Sequence, residues 1–277
     1  MENKIVIFSH NRPTYLELLL RNLNQIFIDK NYTHFFKSID IFYSNRSSLP
    51  YKKKIINSLE VNFISLPDTT SSEKINESFL NYYNSGNLDN GYLLYLDDDC
   101  ILDKRRFIDF FANFKYHFLE DTIFSIYNSF SHKISKFNCK LNFYEKKSVG
   151  MLGILIPKKI IKEYIKLTNI SKVKTKICSD SIFVNFYTNH YGKTILVNPI
   201  SIIQHIGFYG ENNNPNKRDN EFSSSFFYED NSNENYIELF INILAKRNGK
   251  INFNIFSRFI SSLKYKLIKK SVLGRYY

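Results

Sequence analysis

Three consecutive carboxylates, Asp97-Asp98-Asp99, close the run Gly91-Tyr92-Leu93-Leu94-Tyr95-Leu96. Adjacent negative charges repel, and the arrangement is costly unless a cation sits among them. Hard divalent cations take carboxylate oxygens, and Mg²⁺-type sites combine one or two carboxylates with substrate phosphates. A metal–diphosphate site is one reading of the triplet. An acidic turn or helix N-cap is the other, since an Asp at a helix start satisfies backbone donors. Cys100 follows directly and reads as a buried apolar thiol rather than a soft metal ligand.

The run ahead of the triplet is apolar, aromatic and of strand length. It puts the carboxylates at the carboxyl end of a buried strand, where open α/β sheets hold ligands. Upstream, Lys4-Ile5-Val6-Ile7-Phe8 reads as a first strand, followed by the turn-like Ser9-His10-Asn11-Arg12-Pro13. Leucines at helical spacing (Leu16, Leu19, Leu20, Leu23) predict a helix over 14–28. Residues 39–43 and 61–64 read as strands, and 52–59 and 72–83 as helices, the latter capped by Ser71 or Ser72. This alternation predicts an α/β domain with a largely parallel sheet.

Beyond the triplet, 103–114 reads as a helix with a Phe-rich face (Phe107, Phe110, Phe111, Phe114). A strand is expected over 123–127 and another over 149–156, the latter containing Gly150 and Gly153. A Pro157-initiated helix, a helix over 180–191 ending near Gly192, and a strand over 194–197 follow. Residues 211–235 are polar and Asn/Ser-rich without period, the composition of a loop.

At 277 residues, with 43% hydrophobic and 17% aromatic content, the chain can bury one large core and is not disordered along most of its length. The start does not read as a signal peptide, and no stretch reaches the roughly 18 apolar residues of a membrane-spanning helix. Three scattered cysteines lack zinc-site spacing, and a reducing cytosol is the default. The net charge of +12 is uneven: nine cations and no acid lie between Lys246 and the end, leaving only +3 on the first 245 residues. A nucleic-acid binder would spread its basic residues over a folded face, so nucleic acid is not expected as a partner.

Four stretches resemble nucleotide-sugar-dependent glycosyltransferases of the GT-A fold, most like glycosyltransferase family 2. They are IVIFSHNRPTYLELLL from Ile5, the LDDD ending at Asp99, CSDSIFVNFYTNHYG from Cys178, and PISIIQHIG from Pro199. The resemblance implies a GT-A (Rossmann-like) α/β fold with a mostly parallel central sheet flanked by helices. Residues 1–210 would form the catalytic domain, 211–235 a loop or lid, and 236–277 a basic helical tail.

The resemblance also implies roles. Asp99 and His205 would hold Mn²⁺ or Mg²⁺, a mixture of hard and borderline ligands; His205 otherwise reads as a half-buried strand-end histidine. Asp97 would face donor hydroxyls, with Asp98 in either role. Asp180 would be the general base of an inverting transfer, or merely a helix cap. Ser9, Asn11, Arg12 and Ser44 would meet the nucleotide, Arg12 through a fork suited to phosphate. Lys74 and Asn76 would face the donor, or form an ordinary solvated helix face. Gly150 and Gly153 would let the backbone approach acceptor sugar, or serve tight strand packing.

Over 253–268 the tail sets Phe253, Phe256, Phe259, Ile260, Leu263 and Leu267 on one side, with basic residues elsewhere. That composition suits an interfacial helix on anionic lipid, or a helix packed on protein. The expected function is metal-dependent transfer from a nucleoside diphosphate sugar, a UDP-sugar first, to a glycan hydroxyl with inversion. The setting implied is bacterial surface polysaccharide or lipooligosaccharide synthesis, in the cytoplasm or peripheral on the inner membrane face. The alternatives are a retaining GT-A enzyme, a sugar-nucleotide nucleotidyltransferase, and a non-catalytic membrane-surface glycan-binding module. The absence of glycine after the first strand disfavours the nucleotidyltransferase.

Overall fold

Asn3–Ser9 forms β1, buried at every position, and α1 spans Pro13–Phe27. The computed structural model describes residues 2–9, 13–28, 35–44, 59–66, 73–114, 120–129, 132–168 and 179–205. The expected helix over 52–59, the loop over 211–235 and the basic tail therefore lie outside the described residues, apart from Leu59.

β2 (Phe36–Ser44) and β3 (Glu60–Leu66) extend the sheet on one side of β1, both in parallel. α2 (Lys74–Asn84) leads to β4 (Tyr92–Asp97) on the other side, again parallel to β1. α2 starts later than its sequence suggests: Glu73 holds the N-cap position, with no side-chain cap bond. After the aspartates come a short strand β5 (Cys100–Leu102), α3 (Lys104–Asn113) and β6 (Phe124–Ser125). A hairpin, β7 (Ile134–Asn138) and β8 (Phe143–Lys146), precedes β9 (Ile154–Pro157) and α4 (Lys158–Thr168). α5 (Ser179–His190), β10 (Ile195–Val197) and β11 (Ile203–His205) complete the described chain.

The large sheet has the order β3-β2-β1-β4-β9-β6-β10-β8-β7. Seven of its nine strands share one direction; β9 and β8 run against them. This is the GT-A-like α/β class that the sequence implies. β5 and β11 pair separately as a small antiparallel sheet.

Apolar side chains line both faces of the large sheet. One layer packs under α1 and α3 around Leu19, Phe36, Phe107 and Phe111. The other packs under α2, α4 and α5 around Phe79, Tyr164 and Phe183. Burial on both faces explains why β1 and β4 read as unbroken apolar runs rather than alternating ones.

Three expectations need correction. The strand predicted over 149–156 begins only at Ile154, because Gly153 adopts φ +69° and turns the chain into β9. Pro157 ends that strand instead of starting α4; with no N–H to donate, it is tolerated at a ladder's last position. The β7–β8 hairpin was not foreseen, because Lys, Ser and Asn interrupt its alternation.

Candidate active site

Asp97 is the last residue of β4 and stands beside Phe8 in register. Lys74, the first residue of α2, donates Nζ–H to Asp97 Oδ1 at 2.8 Å, with its ammonium 5.0 Å from the centre of the Phe8 ring. Both partners are part-exposed, so the pair contributes about 1 kcal/mol or less. Its effect is orientational: it fixes the Asp97 carboxylate at the strand end.

Asp98 and Asp99 form the turn between β4 and β5, and both are buried. The Asp98 backbone N–H donates to the Phe8 carbonyl at 3.1 Å. The buried Cys100 thiol donates to the Asp97 carbonyl at 3.1 Å. The triplet is thus an acidic turn but not a helix cap. That role falls to Asp103, which accepts from the Arg106 N–H at 3.0 Å at the start of α3.

β5 is held from two sides. The fully buried Asn22 of α1 acts as a one-residue strand: its Nδ2 donates to the Leu102 carbonyl (3.0 Å), and its Oδ1 accepts from the Leu102 N–H (2.8 Å). On the other side, β11 pairs His205 with Cys100. That register brings His205 Nε2 within 3.4 Å of Asp99 Oδ1, across 106 positions of sequence. A hard carboxylate oxygen and an imidazole nitrogen side by side fit a divalent cation such as Mn²⁺ or Mg²⁺. No group of three metal-ligating side chains occurs among the described residues.

Ser9, at the end of β1, is buried, and its hydroxyl has no hydrogen-bond partner among the described residues. Ser44 ends β2, with its side chain outside the description, as are Asn11 and Arg12 altogether. Asn76 lies inside rather than on a solvated face: it is buried, and its Oδ1 accepts from the Tyr164 hydroxyl of α4 at 3.3 Å.

A side chain at Gly150 would meet open space. One at Gly153 would run into Ile203 Cδ1 and approach Tyr127 Cβ to 3.0 Å. The missing side chain of Gly153 therefore lets β11, which carries His205, pack onto the large sheet. Its backbone adds two bonds of 2.8 Å, from its N–H to the Tyr95 carbonyl and from the Ile126 N–H to its own carbonyl.

Asp180 lies in the first turn of α5, half-exposed, with Oδ1 accepting from the next backbone N–H at 2.7 Å. Seven residues later, the Tyr187 hydroxyl contacts the Ile123 N–H and the Asp121 carbonyl, where the chain enters β6. The late half of α5 thus sits at the amino end of β6. At about 1.5 Å per residue, roughly 10 Å of helix separates Asp180 from that end.

Nearby is a polar cluster with no clear sequence signal, because its members come from separate segments. Lys146 is 1% exposed and donates to Asn128 Oδ1 (2.8 Å) and the Ser129 carbonyl (2.7 Å). Asn128 in turn donates to the Pro199 carbonyl (2.8 Å) and, through its N–H, to the Ser201 hydroxyl (3.3 Å). Burial without a carboxylate partner pulls the Lys146 amine down to about 8. His132, whose Nδ1 is 3.0 Å from Ser148 Oγ, is also lowered, first by burial and then by the Lys146 charge; the Asp180 carboxylate opposes the shift.

No family model and no curated protein matches the sequence. Among solved structures, the chain is similar to S. aureus TarS 1–349 (14% identity, TM-score 0.48, 76% of this chain and 61% of that one). It is similar to the same protein in complex with UDP-GlcNAc (16%, TM-score 0.49, 90% and 68%). A third likeness is to a putative glucose-1-phosphate thymidylyltransferase from Bacillus anthracis in complex with a sucrose (15%, TM-score 0.44, 74% and 90%). The chain spans 61% of the length of the first. The fold class rests on the strand order and directions above.

Proposed function

We propose that this chain is a metal-dependent glycosyltransferase that moves a sugar from a nucleoside diphosphate sugar, a UDP-sugar first, to a glycan hydroxyl with inversion. The observation that supports this reading is the Asp99–His205 pair, 3.4 Å apart at the carboxyl end of the central strand β4. Asp99 and His205 hold the cation, Mn²⁺ or Mg²⁺, which when bound neutralises charge on the leaving diphosphate.

The chain's own groups do the rest. Asp97, aimed by Lys74, accepts from donor hydroxyls, and Asp98 braces the turn that presents Asp99. Ser9, Asn11, Arg12 and Ser44 meet the nucleotide. Asp180 takes the proton from the acceptor hydroxyl as its oxygen bonds to the anomeric carbon. The bond from that carbon to the diphosphate breaks at the same time, and the nucleoside diphosphate leaves with the electron pair. Gly150 leaves room for the acceptor. The product belongs to surface-glycan synthesis, and the basic tail would hold the enzyme at an anionic membrane face.

The test is a thermal-shift screen of nucleotide sugars with and without Mn²⁺. A ligand at about a hundred times its Kd stabilises the native state by about 2.7 kcal/mol, a rise of several degrees. A UDP-sugar is expected to give this rise only with Mn²⁺, and Asp99→Asn and His205→Ala to abolish it. Absence of any metal-dependent shift with every donor would sink the proposal.

A further inference from the structure

Lys146, the last residue of β8, is buried, and no carboxylate among the described residues pairs with it. A buried cation without a counter-ion is costly, and groups held at such a cost gather at functional sites. Both of its bonds go to one short stretch, Asn128 Oδ1 at 2.8 Å and the Ser129 carbonyl at 2.7 Å.

An ammonium group has donors and no acceptor. It therefore takes the oxygen end of the buried Asn128 amide and leaves the NH₂ end for the Pro199 carbonyl, to which it donates at 2.8 Å. Turned over, the amide would set donor against donor at Lys146 and oxygen against oxygen at Pro199, both away from water. Lys146 thus decides which way Asn128 points.

Pro199 opens the stretch between β10 and β11. Asn128 holds that stretch twice, by its side chain at Pro199 and by its backbone N–H on the Ser201 hydroxyl at 3.3 Å. The Ser201 hydroxyl in turn donates to the Ile203 carbonyl at 2.8 Å. Ile203 is the first residue of β11 and His205 the third. Between them and Pro199, the Ile202 N–H donates to the Ile126 carbonyl at 2.8 Å, and the Ile202 carbonyl accepts from the Asp103 N–H at 2.9 Å. β11 is three residues long and pairs only with β5 among the described strands, so its place depends on these anchors. Metal–ligand distances tolerate only about 0.2 Å of error, so a small shift of β11 would be felt at His205, 3.4 Å from Asp99.

We propose that Lys146 is a positioning residue for the cation site: by orienting the Asn128 amide it fixes residues 199–203, and with them the place at which β11 presents His205 beside Asp99. The inference rests on the metal reading above. It adds Lys146, Asn128 and Ser201, which act on the cation only through His205.

The test is Mn²⁺ binding to the full chain in the presence of UDP, followed by loss of the electron paramagnetic resonance signal of free Mn²⁺. Wild type is expected to bind, and His205→Ala to bind weaker by about ten-fold or more. Lys146→Met and Asn128→Asp should each weaken binding by about five-fold or more, and Ser201→Ala by about two-fold. Asn128→Asp is the sharper of the pair, because it keeps the acceptor for Lys146 and loses only the donor to Pro199. Tyr187→Phe is the control for lost stability. It removes a buried hydroxyl that ties α5 to the amino end of β6, away from this relay, and should leave affinity unchanged. Co²⁺ in place of Mn²⁺ reports ligand geometry. Its visible absorption should change in Lys146→Met and Asn128→Asp but not in Tyr187→Phe, a signature that lost stability alone would not give. Should the two larger variants fail to fold, Ser201→Ala decides. Wild-type affinity and spectrum in the relay variants, or an equal loss in Tyr187→Phe, overturns the inference. If wild type binds Mn²⁺ and only His205→Ala loses it, the positioning role falls alone; if wild type binds no Mn²⁺, the metal reading falls with it.

Discussion

The two halves of the large sheet place their chemistry in different ways. In β3-β2-β1-β4 every neighbouring pair is parallel. Polar groups reach the site by chain continuity, because Asp97, Asp98 and Asp99 simply follow a buried strand. In β9-β6-β10-β8-β7 directions are mixed, and the polar groups converge from separate segments: Asn128, His132, Lys146, Asp180 and Pro199. The first half is suited to hold a ligand in a fixed frame, whereas the second depends on long-range hydrogen bonds to exist at all. Binding and proton transfer should therefore be separable by mutation.

The sharpest break is Asp180→Asn. Loss of a general base costs about 10²- to 10⁴-fold in rate, so kcat for nucleoside diphosphate release should fall by that much. The Mn²⁺-dependent thermal shift with donor should remain. Loss of both together would show that the halves do not divide the work.

Gly153→Ala tests the seam between them. It combines a left-handed φ, costing about 1–2 kcal/mol for a residue with Cβ, with a collision against Ile203 that adds about 1–3 kcal/mol. Urea unfolding should show a loss of roughly 2–5 kcal/mol, and Mn²⁺ affinity should weaken because Ile203 leads to His205. Wild-type stability would mean that β11 is not held through this contact.

The smallest effect concerns Lys146 and pH. Its folded value, about 8, lies below its ordinary 10.5. Between these values the unfolded chain binds the extra proton, so this group's contribution to native stability rises with pH through that window. The penalty is complete below about pH 8 and relieved by about pH 10.5. Wild type should therefore gain on Lys146→Met between pH 7 and 10 in urea unfolding, by at most about 3 kcal/mol. Comparison with the variant removes the contrary trend of buried Tyr82 and Tyr95, whose raised pKa values favour the native protonated form less as pH climbs past 10. A pH-independent difference would show that burial does not perturb this amine.

Legibility followed the same division. β1, α1 and β4 stood out because strands buried on both faces are unbroken apolar runs, and α1 repeats its leucines at helical spacing. Cys100 read correctly as a buried thiol. The small sheet was invisible: β5 is three residues long, and its partners Asn22 and β11 are distant in sequence. Lys146 carries no sequence signal, since nothing local distinguishes a buried lysine from an exposed one. Asn76 faced inward because Tyr164 lies opposite it, a fact of helix packing rather than of α2's own pattern.

What the sequence alone determined is local: the apolar strands and amphipathic helices such as β1, α1 and β4, and that three carboxylates end a buried strand. Periodicity and chain continuity act over a few residues, and they suffice for that. That Asp99 meets His205, that Gly153 makes room for Ile203, and that Lys146 reaches Asn128 were decided by the tertiary structure. Each depends on register between strands far apart in the chain, and a one-residue slip would send those side chains to the other face.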